Sequence, residues 1–548
     1  MKLKNNSTSQ KLRGAYYTPR TLADAIVTTF SDEDHTNILE PSCGDGVFID
    51  ALDAAGLIGD KASLTAVEIN SEELGKARTL HQASPNVTFL CDDFFSFYRK
   101  SKPSSYDLIL GNPPYIRYQY LAASQRAFMS RVLESQGMKT NKLINAWVGF
   151  VVACTNLLSD GGRMAFVLPA ELLQVVYAED LRFFLASHFK QITLFTFTQL
   201  VFNDAEQEVV VFSGVKGSAN PEIRIIQLED AASMKKHSYD EKPYQPLGRV
   251  HEKWTRYFIG SSDAAVLQEL CDDPRLVRLD SMGLINIGIT TGNNSYFSID
   301  DTTSKAYDLD EFTLPLLGRS SHASGLFFTK DDWLLNCKAG KRARLLVLQD
   351  GQYESLSSKQ REYVDLGEAN GDSEGYKCSI RESWYAVPSV WVPDAFFLRR
   401  NNLFPKFVLN DCGAVSTDTM HRIKFYDGVD PKLALLSYYN SIGFAFTELC
   451  GRSYGGGVLE ILPKEVGNML VPKLEGHNLN VELVNNLVDV IDSTIRNGFD
   501  IEEALDVVDK LLLCDVLGFT ENVCLSCRHI WKTLQQRRLC RSTACPKQ

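Results

Sequence analysis

The chain has no apolar run approaching the roughly 20 residues that cross a bilayer, so membrane insertion is not expected. It also lacks the short-spaced cysteine pattern of a small secreted domain. Its 13 cysteines are scattered, and no charged-then-apolar leader opens the chain, which together point to a reducing cytoplasm. Positive charge is not in excess either: 57 Lys and Arg stand against 68 Asp and Glu, for a net charge of -11. A polyanionic partner would therefore have to be met by a local basic cleft, not by the global field. Internal repeats and long low-complexity tracts are missing as well. What is present is an ordinary globular composition, 44% hydrophobic and 23% charged, spread over 548 residues, which is too long for one domain and suggests two to four.

From Asn37 to about Val215 apolar strands alternate with helical stretches. Asn37 to Glu40, Leu64 to Glu68, Val87 to Leu90 and Asp107 to Leu110 read as buried parallel strands, with a helix such as Ser71 to His81 between two of them. Arg163 to Leu168, Gln191 to Phe197 and Glu208 to Phe212 continue the series, and the whole predicts a doubly wound α/β sheet. Around Ser213 to Val250, including Lys235-Lys236-His237, the pattern fades into a connector. Short strands, many turns and aromatics such as Trp384, Tyr385 and Trp391 then suggest a separate α+β domain. Helical spacing returns at Leu483, Leu487, Val490 and Ile491 and at Leu505, Val508, Leu511 and Leu512. After Glu521 no acid occurs while Arg528, Lys532, Arg537, Arg538, Arg541 and Lys547 accumulate, which reads as a basic helical tail. The expected division is 1–245, 246–475 and 476–548.

Glu40-Pro41-Ser42-Cys43-Gly44-Asp45-Gly46 follows the first strand and leads into a helix at Val47. Gly44 and Gly46 let backbone approach a ligand closely, and Glu68, at the end of the next strand, lies where a ribose diol would be read. The third strand ends in Cys91-Asp92-Asp93-Phe94, offering a carboxylate to an adenine amino group and a ring to stack on it. No Lys-Ser or Lys-Thr follows the glycine turn, so a phosphate cradle is not indicated. S-adenosylmethionine fits this set: its amino-acid end at Asp45 and the backbone amides, its ribose at Glu68, its adenine at Asp93 and Phe94.

The fourth strand runs into Asn112-Pro113-Pro114-Tyr115, a rigid turn whose polar and π groups can grip a planar amine. The lone pair of an adenine amino group is delocalised into the ring. Accepting both amino hydrogens, on the Asn112 side-chain oxygen and the Pro113 carbonyl, would free it for attack on a sulfonium methyl group without a strong base.

Taken in order, Gly14 to Val27 with Tyr16-Tyr17-Thr18-Pro19, then Glu40 to Gly46, Glu68, Asp93-Phe94 and Asn112 to Tyr115, the chain resembles the gamma-class N6-adenine DNA methyltransferases of the TaqI and Eco57I type. The resemblance implies a Rossmann-like class I methyltransferase sheet, a C-terminal α+β target-recognition domain, and Tyr17, Thr18 and Pro19 folded over the methionine end of the cofactor. It implies duplex DNA as partner and a base flipped from the stack, with Tyr115 against one face. The second ring would come from a later strand junction, where Phe202 occupies the matching place. The quartet also occurs in methyltransferases of protein glutamine and ribosomal RNA, so the second domain chooses the substrate. There Ile287 to Asn294, Leu314 to Arg319, Phe404 to Asn410 and Arg452 to Gly457 resemble the TaqI-like specificity domain, with Arg319, Arg399, Arg400 and Arg452 as candidate DNA contacts. The segment covering the cofactor begins near Gly14, so a stand-alone modification enzyme with a separate endonuclease is expected. An N4-cytosine enzyme and an inactive DNA-binding specificity subunit are the alternatives. Cys524, Cys527, Cys540 and Cys545 have the count of a zinc site, but Arg528 to Leu539 reads as one helix running between them, and no metal is assigned.

Overall fold

The computed structural model describes residues 17–540 except 60–61, 82–83, 141–143, 200, 203–207, 236–242, 249–252, 454–456 and 478. The chain forms two compact units, divided between Gly260 and Ser261, the second ending at Leu539.

Apolar residues at successive positions of buried strands organise the first unit. Strands β1 (Asn37–Glu40), β2 (Ser63–Glu68), β3 (Val87–Cys91) and β4 (Tyr106–Gly111) pair in parallel in the order β3-β2-β1-β4. Because side chains alternate along a strand, neighbouring residues feed opposite faces. Leu39 and Ile109 join a core containing Trp147 and Phe150, whereas Ile38, Leu108 and Leu110 join one containing Leu22, Phe30 and Phe48. The sheet is thus covered on both sides, which is why its strands read as continuous apolar runs. Helix α1 (Arg20–Thr28), α2 (Val47–Ala54), α3 (Ser71–Leu80), α4 (Phe94–Lys100), α5 (Ala123–Glu134), α6 (Ala146–Leu157) and α7 (Glu179–His188) are the main covers. Helix α6 is buried on nearly every side and carries no charged residue.

Beyond β4 the sheet continues with β5 (Leu158–Pro169), β7 (Val209–Lys216) and β6 (Phe189–Phe197), and β7 lies antiparallel between its two neighbours. The predicted connector is partly sheet. Glu222–Leu228 forms β8, parallel to β6, and Gln245–Pro246 forms β9 at the edge. Ile223, Ile225 and Ile226 are buried there, a short apolar signal that the surrounding turn residues obscure in the sequence. Lys236 and His237 lie outside the described residues.

The second unit holds a five-stranded sheet, in the order Gly283–Ile287, Met420–Phe425, Ala395–Leu398, Phe407–Asn410 and Phe327–Phe328. Its helices include Ser441–Cys450, Val481–Asn497, Ile501–Val508 and Glu521–Leu539. The last helices do not stand apart as a tail. Trp531 is 1% exposed and meets the Phe444 ring edge-on at 5.0 Å. Arg528 pairs with Asp506 at 3.1 Å and Asp509 at 2.9 Å, and Arg538, 0% exposed, is bound by Glu448 at 2.8 Å. The cluster of basic residues thus neutralises acids from elsewhere in its own unit, which a local charge count cannot see. Arg541 and Lys547 lie outside the described residues, as does Cys545. Cys524 and Cys527 sit on the helix Glu521–Leu539, where the Cys524 Sγ is 3.8 Å from that of Cys514. Among the described residues no helix is long and apolar enough to cross a membrane.

Candidate functional site

The carboxyl ends of β1, β2, β3 and β4 open into a cavity of about 570 Å³. Each strand end delivers one part of its wall. After β1 the chain turns through Pro41 to Gly46 and enters α2; Gly46 has φ 98°, and a Cβ there would stand 3.1 Å from that of Ala77, so both conformation and space favour glycine. The turn is tied down by the Cys43 amide, which donates to the Val67 carbonyl at 2.9 Å. At the end of β2 the Glu68 carboxylate accepts from the Gly44 amide at 3.0 Å and from the Asn70 amide at 2.8 Å, bracing the glycine turn against the start of α3.

After β3 the two neighbouring aspartates take different parts. Asp92 is engaged at the surface by Lys100 at 2.9 Å, which holds its carboxyl below the usual range. Asp93 caps α4, accepting from the Ser96 amide at 3.0 Å, and lines the cavity beside Phe94. Phe94 is 3% exposed and stacks on Phe150 of α6, ring centroids 4.4 Å apart.

β4 ends on Gly111, with φ 152° and Glu40 and Pro41 atoms within 4 Å of where a Cβ would lie. That close passage sets Asn112, Pro113 and Pro114 on the cavity wall, where the Asn112 carbonyl accepts from the Ser42 hydroxyl at 3.2 Å. Asn112 thus faces the same space as Glu68 and Asp93.

Tyr17, Thr18, Glu40, Pro41, Gly44 and Asp45 also line this space. Two of the expected aromatic groups do not. The Tyr115 hydroxyl donates to the Val167 carbonyl of β5 at 3.0 Å, and the half-buried ring packs against both cores behind the wall. Phe202 is a core residue: it is 6% exposed and packs in the cluster of Phe195, Phe197 and Val209. Burial of its ring in that layer removes it from the second-face position that the resemblance implied. Ile116, Tyr120, Leu121 and Gln125 also line the cavity and carry no motif of their own. Only their place just after the quartet signals them.

The cavity is acidic. Glu40, Asp45, Glu68, Glu72, Glu73, Asp92 and Asp93 line it, and among the described residues no Lys or Arg does. Burial, then the charges of Glu68 and Asp45, hold the Glu40 carboxyl well above the usual carboxylate range. Burial and then Glu73 also raise Asp45. The Glu40 Oε2 atom is buried and has no hydrogen-bond partner among the described residues. Such a space suits a ligand bearing positive charge and hydrogen-bond donors. A raised folded-state value means that Glu40 contributes stability below its unfolded value of about 4.3 and that this contribution is lost as pH rises through the folded value. Glu40→Gln is therefore expected to melt above the unaltered ligand-free protein at neutral pH, with the gap closing toward pH 4.5; thermal unfolding across pH checks this, and a gap that widens on acidification would refute it.

In the second unit, three of the four candidate arginines are already committed. Arg399 and Arg400 each stand 3.1 Å from Glu460, and Arg452 lies 2.8 Å from Glu465, whereas Arg319 is exposed. The Asn293 and Asn294 amides donate to Asp372 at 2.6 Å and Asp418 at 3.0 Å.

The family model described as Eco57I restriction-modification methylase matches residues 60–202, and that of the C-terminal domain of the type II methyltransferase M.Eco57I matches residues 251–513. The chain belongs to the Eco57I-like type II modification methylases. The two matches fall on the two units in turn. Among curated relatives of this Eco57I-like chain, the type II methyltransferase M.AccI of Acinetobacter calcoaceticus is 22% identical over 527 residues, 91% of this chain and 92% of that protein. M.HindII of Haemophilus influenzae is 25% identical over 317 residues, 54% of this chain and 57% of that protein. The type IIL restriction-modification enzyme MmeI, solved in complex with DNA, is similar with TM-score 0.55 at 11% identity, covering 95% of this chain and 75% of that one, a likeness of fold. The sheet of this Eco57I-like methylase, with β7 inserted antiparallel between β5 and β6, is the Rossmann-like class I methyltransferase sheet.

Proposed function

We propose that the protein transfers a methyl group from S-adenosylmethionine to the exocyclic N6 amine of an adenine flipped out of double-stranded DNA, as the modification component of a restriction-modification system. One observation carries this reading: Asn112 and Pro113, which suit a planar amine, line the same cavity as the carboxylates suited to a cationic adenosyl cofactor.

The residues present fit that cofactor. Its α-ammonium and sulfonium complement Asp45 and the orphaned Oε2 of buried Glu40, its ribose hydroxyls can donate to Glu68, and its adenine amine can donate to Asp93. Tyr17 and Thr18 border the same space. When bound, the cofactor supplies an electrophilic methyl group. The chain's own part is to accept the two amino hydrogens of the target base on the Asn112 side-chain oxygen and the Pro113 carbonyl, drawing the nitrogen toward a tetrahedral state. Neither Tyr115, which packs behind the cavity wall, nor Phe202, which is part of the core, is assigned as the stacking ring for the flipped base. Stacking of about 1–3 kcal/mol offsets part of the cost of flipping. Duplex DNA as acceptor is supported by the second unit, which matches the M.Eco57I C-terminal domain, and by the DNA bound to the similar restriction-modification enzyme MmeI.

Incubation of the full chain with labelled cofactor and assorted duplexes, followed by nucleoside analysis, should give N6-methyladenine at one short sequence. N4-methylcytosine as product would overturn the choice of base, and label only on RNA or protein would overturn DNA as the acceptor. Glu68→Ala is expected to weaken cofactor binding by about 10- to 100-fold, as loss of charge-assisted hydrogen bonds does, while turnover at saturating cofactor stays within a few-fold. Equilibrium binding alongside single-turnover rates separates the two; an equal loss of turnover at saturation would place Glu68 elsewhere.

A further inference from the structure

We infer that Gln125 is a positioning residue that sets Asp93 to read the purine of the cofactor, an inference resting on the cofactor reading above. Gln125 lies in the first turn of α5, 32 residues from Asp93, and lines the cavity beside it. Its Nε2 donates to the Asp93 Oδ1 at 2.7 Å, and its Oε1 accepts from the Ala122 amide at 3.1 Å. These two contacts fix the orientation of the amide. Turned the other way, its NH2 would meet the Ala122 N–H and its carbonyl would meet the Asp93 carboxylate, so both contacts would become repulsive.

Asp93 is in this way held at both oxygens, Oδ2 by the Ser96 amide at 3.0 Å and Oδ1 by Gln125. A carboxylate oxygen offers about two acceptor positions, so each still has one to give, and the two bonds decide where those positions point. The Ser96 bond belongs to the cap of α4 and is local. The Gln125 bond reaches across from the segment that follows the Asn112 quartet, whose residues Ile116, Tyr120 and Leu121 also line the cavity. The helix carrying Gln125 is itself anchored, since Met129, Val132 and Leu133 are buried in the core with Phe95 and Phe150. Gln125 is thus a strut between an anchored helix and Asp93, whose neighbour Asp92 is engaged by Lys100. Its predicted work is discrimination: an adenine, which presents an amine, is accepted, and a hypoxanthine, which presents a carbonyl at that position, is repelled.

The test is equilibrium binding of S-adenosylhomocysteine and S-inosylhomocysteine to the full chain and to two variants. Gln125→Glu still accepts from the Ala122 amide, so the start of α5 is kept, but in its ionised form, at alkaline pH, it cannot donate to Asp93. Gln125→Met removes both contacts at similar size and serves if the charged variant folds poorly. The unaltered protein should prefer the adenosyl compound by about 10- to 100-fold, the worth of one hydrogen bond to a charged group, and both variants should bring that preference close to unity. A merely structural role would lower affinity for the two compounds alike and leave their ratio unchanged, and that outcome overturns the inference, as does an unaltered protein that does not discriminate. An unaltered protein that binds neither compound overturns the cofactor reading itself.

Discussion

Asn112→Ala is expected to lower methyl transfer at saturating cofactor and DNA by about 10²- to 10³-fold, the usual cost of removing one preorganised group from a site of developing charge. Cofactor affinity should stay within a few-fold. The reason is placement: Asn112 stands at the end of β4, and its backbone is held by Ser42 and by the tight passage at Gly111, neither of which needs the side chain. The truncation therefore leaves the turn standing and removes one of two acceptors for the amino hydrogens. Single-turnover rates and calorimetric cofactor binding, taken on the same preparation, check both halves. Collapse of cofactor affinity with little change in the transfer step would show that Asn112 serves the cofactor and not the acceptor.

The second large effect is on stability. Arg538 is fully buried, and its Nε and Nη2 donate to both oxygens of Glu448 at 2.8–3.1 Å, while Nη1 donates to the Gly457 carbonyl at 2.6 Å and to that of Asn402. Arg538→Ala leaves the Glu448 charge and the Gly457 carbonyl without their donor in a dry place, and the Asn402 carbonyl without its donor at the edge, a cost of about 3–5 kcal/mol. The midpoint of thermal unfolding of the second unit should drop by roughly 10 °C. Arg538→Met with Glu448→Leu should recover part of this, because the uncompensated charge disappears with its partner while the stranded carbonyls remain. Cofactor binding should survive the single substitution below the transition, since the described residues that line the cavity belong to the first unit. A fall of less than a degree or two would mean that water reaches Glu448.

The cavity was largely legible in the sequence because its parts sit at the ends of strands buried on both faces. Such strands announce themselves as unbroken apolar runs, and the polar residue that ends each run, Glu40, Glu68, Asp93 or Asn112, is where the wall begins. Legibility failed where the deciding partner is distant. Nothing near Arg538 in the chain reveals that Glu448, 90 residues away, would bury it. Phe202 was drawn to the cavity by analogy of position, but a phenylalanine beside apolar strand residues has no local mark to distinguish a stacking ring from a core ring. Gln125 escaped for the opposite reason, an ordinary polar residue near a helix start whose importance rests on an oxygen 32 residues back.

The carboxylate lining of the cavity has a bearing on turnover as well as on binding. A sulfonium donor becomes an uncharged thioether once its methyl group has gone. On the cofactor reading proposed above, the electrostatic hold of Asp45, Glu40 and their neighbours would therefore slacken once the methyl group has gone, and exchange of spent for fresh cofactor would be favoured by charge alone.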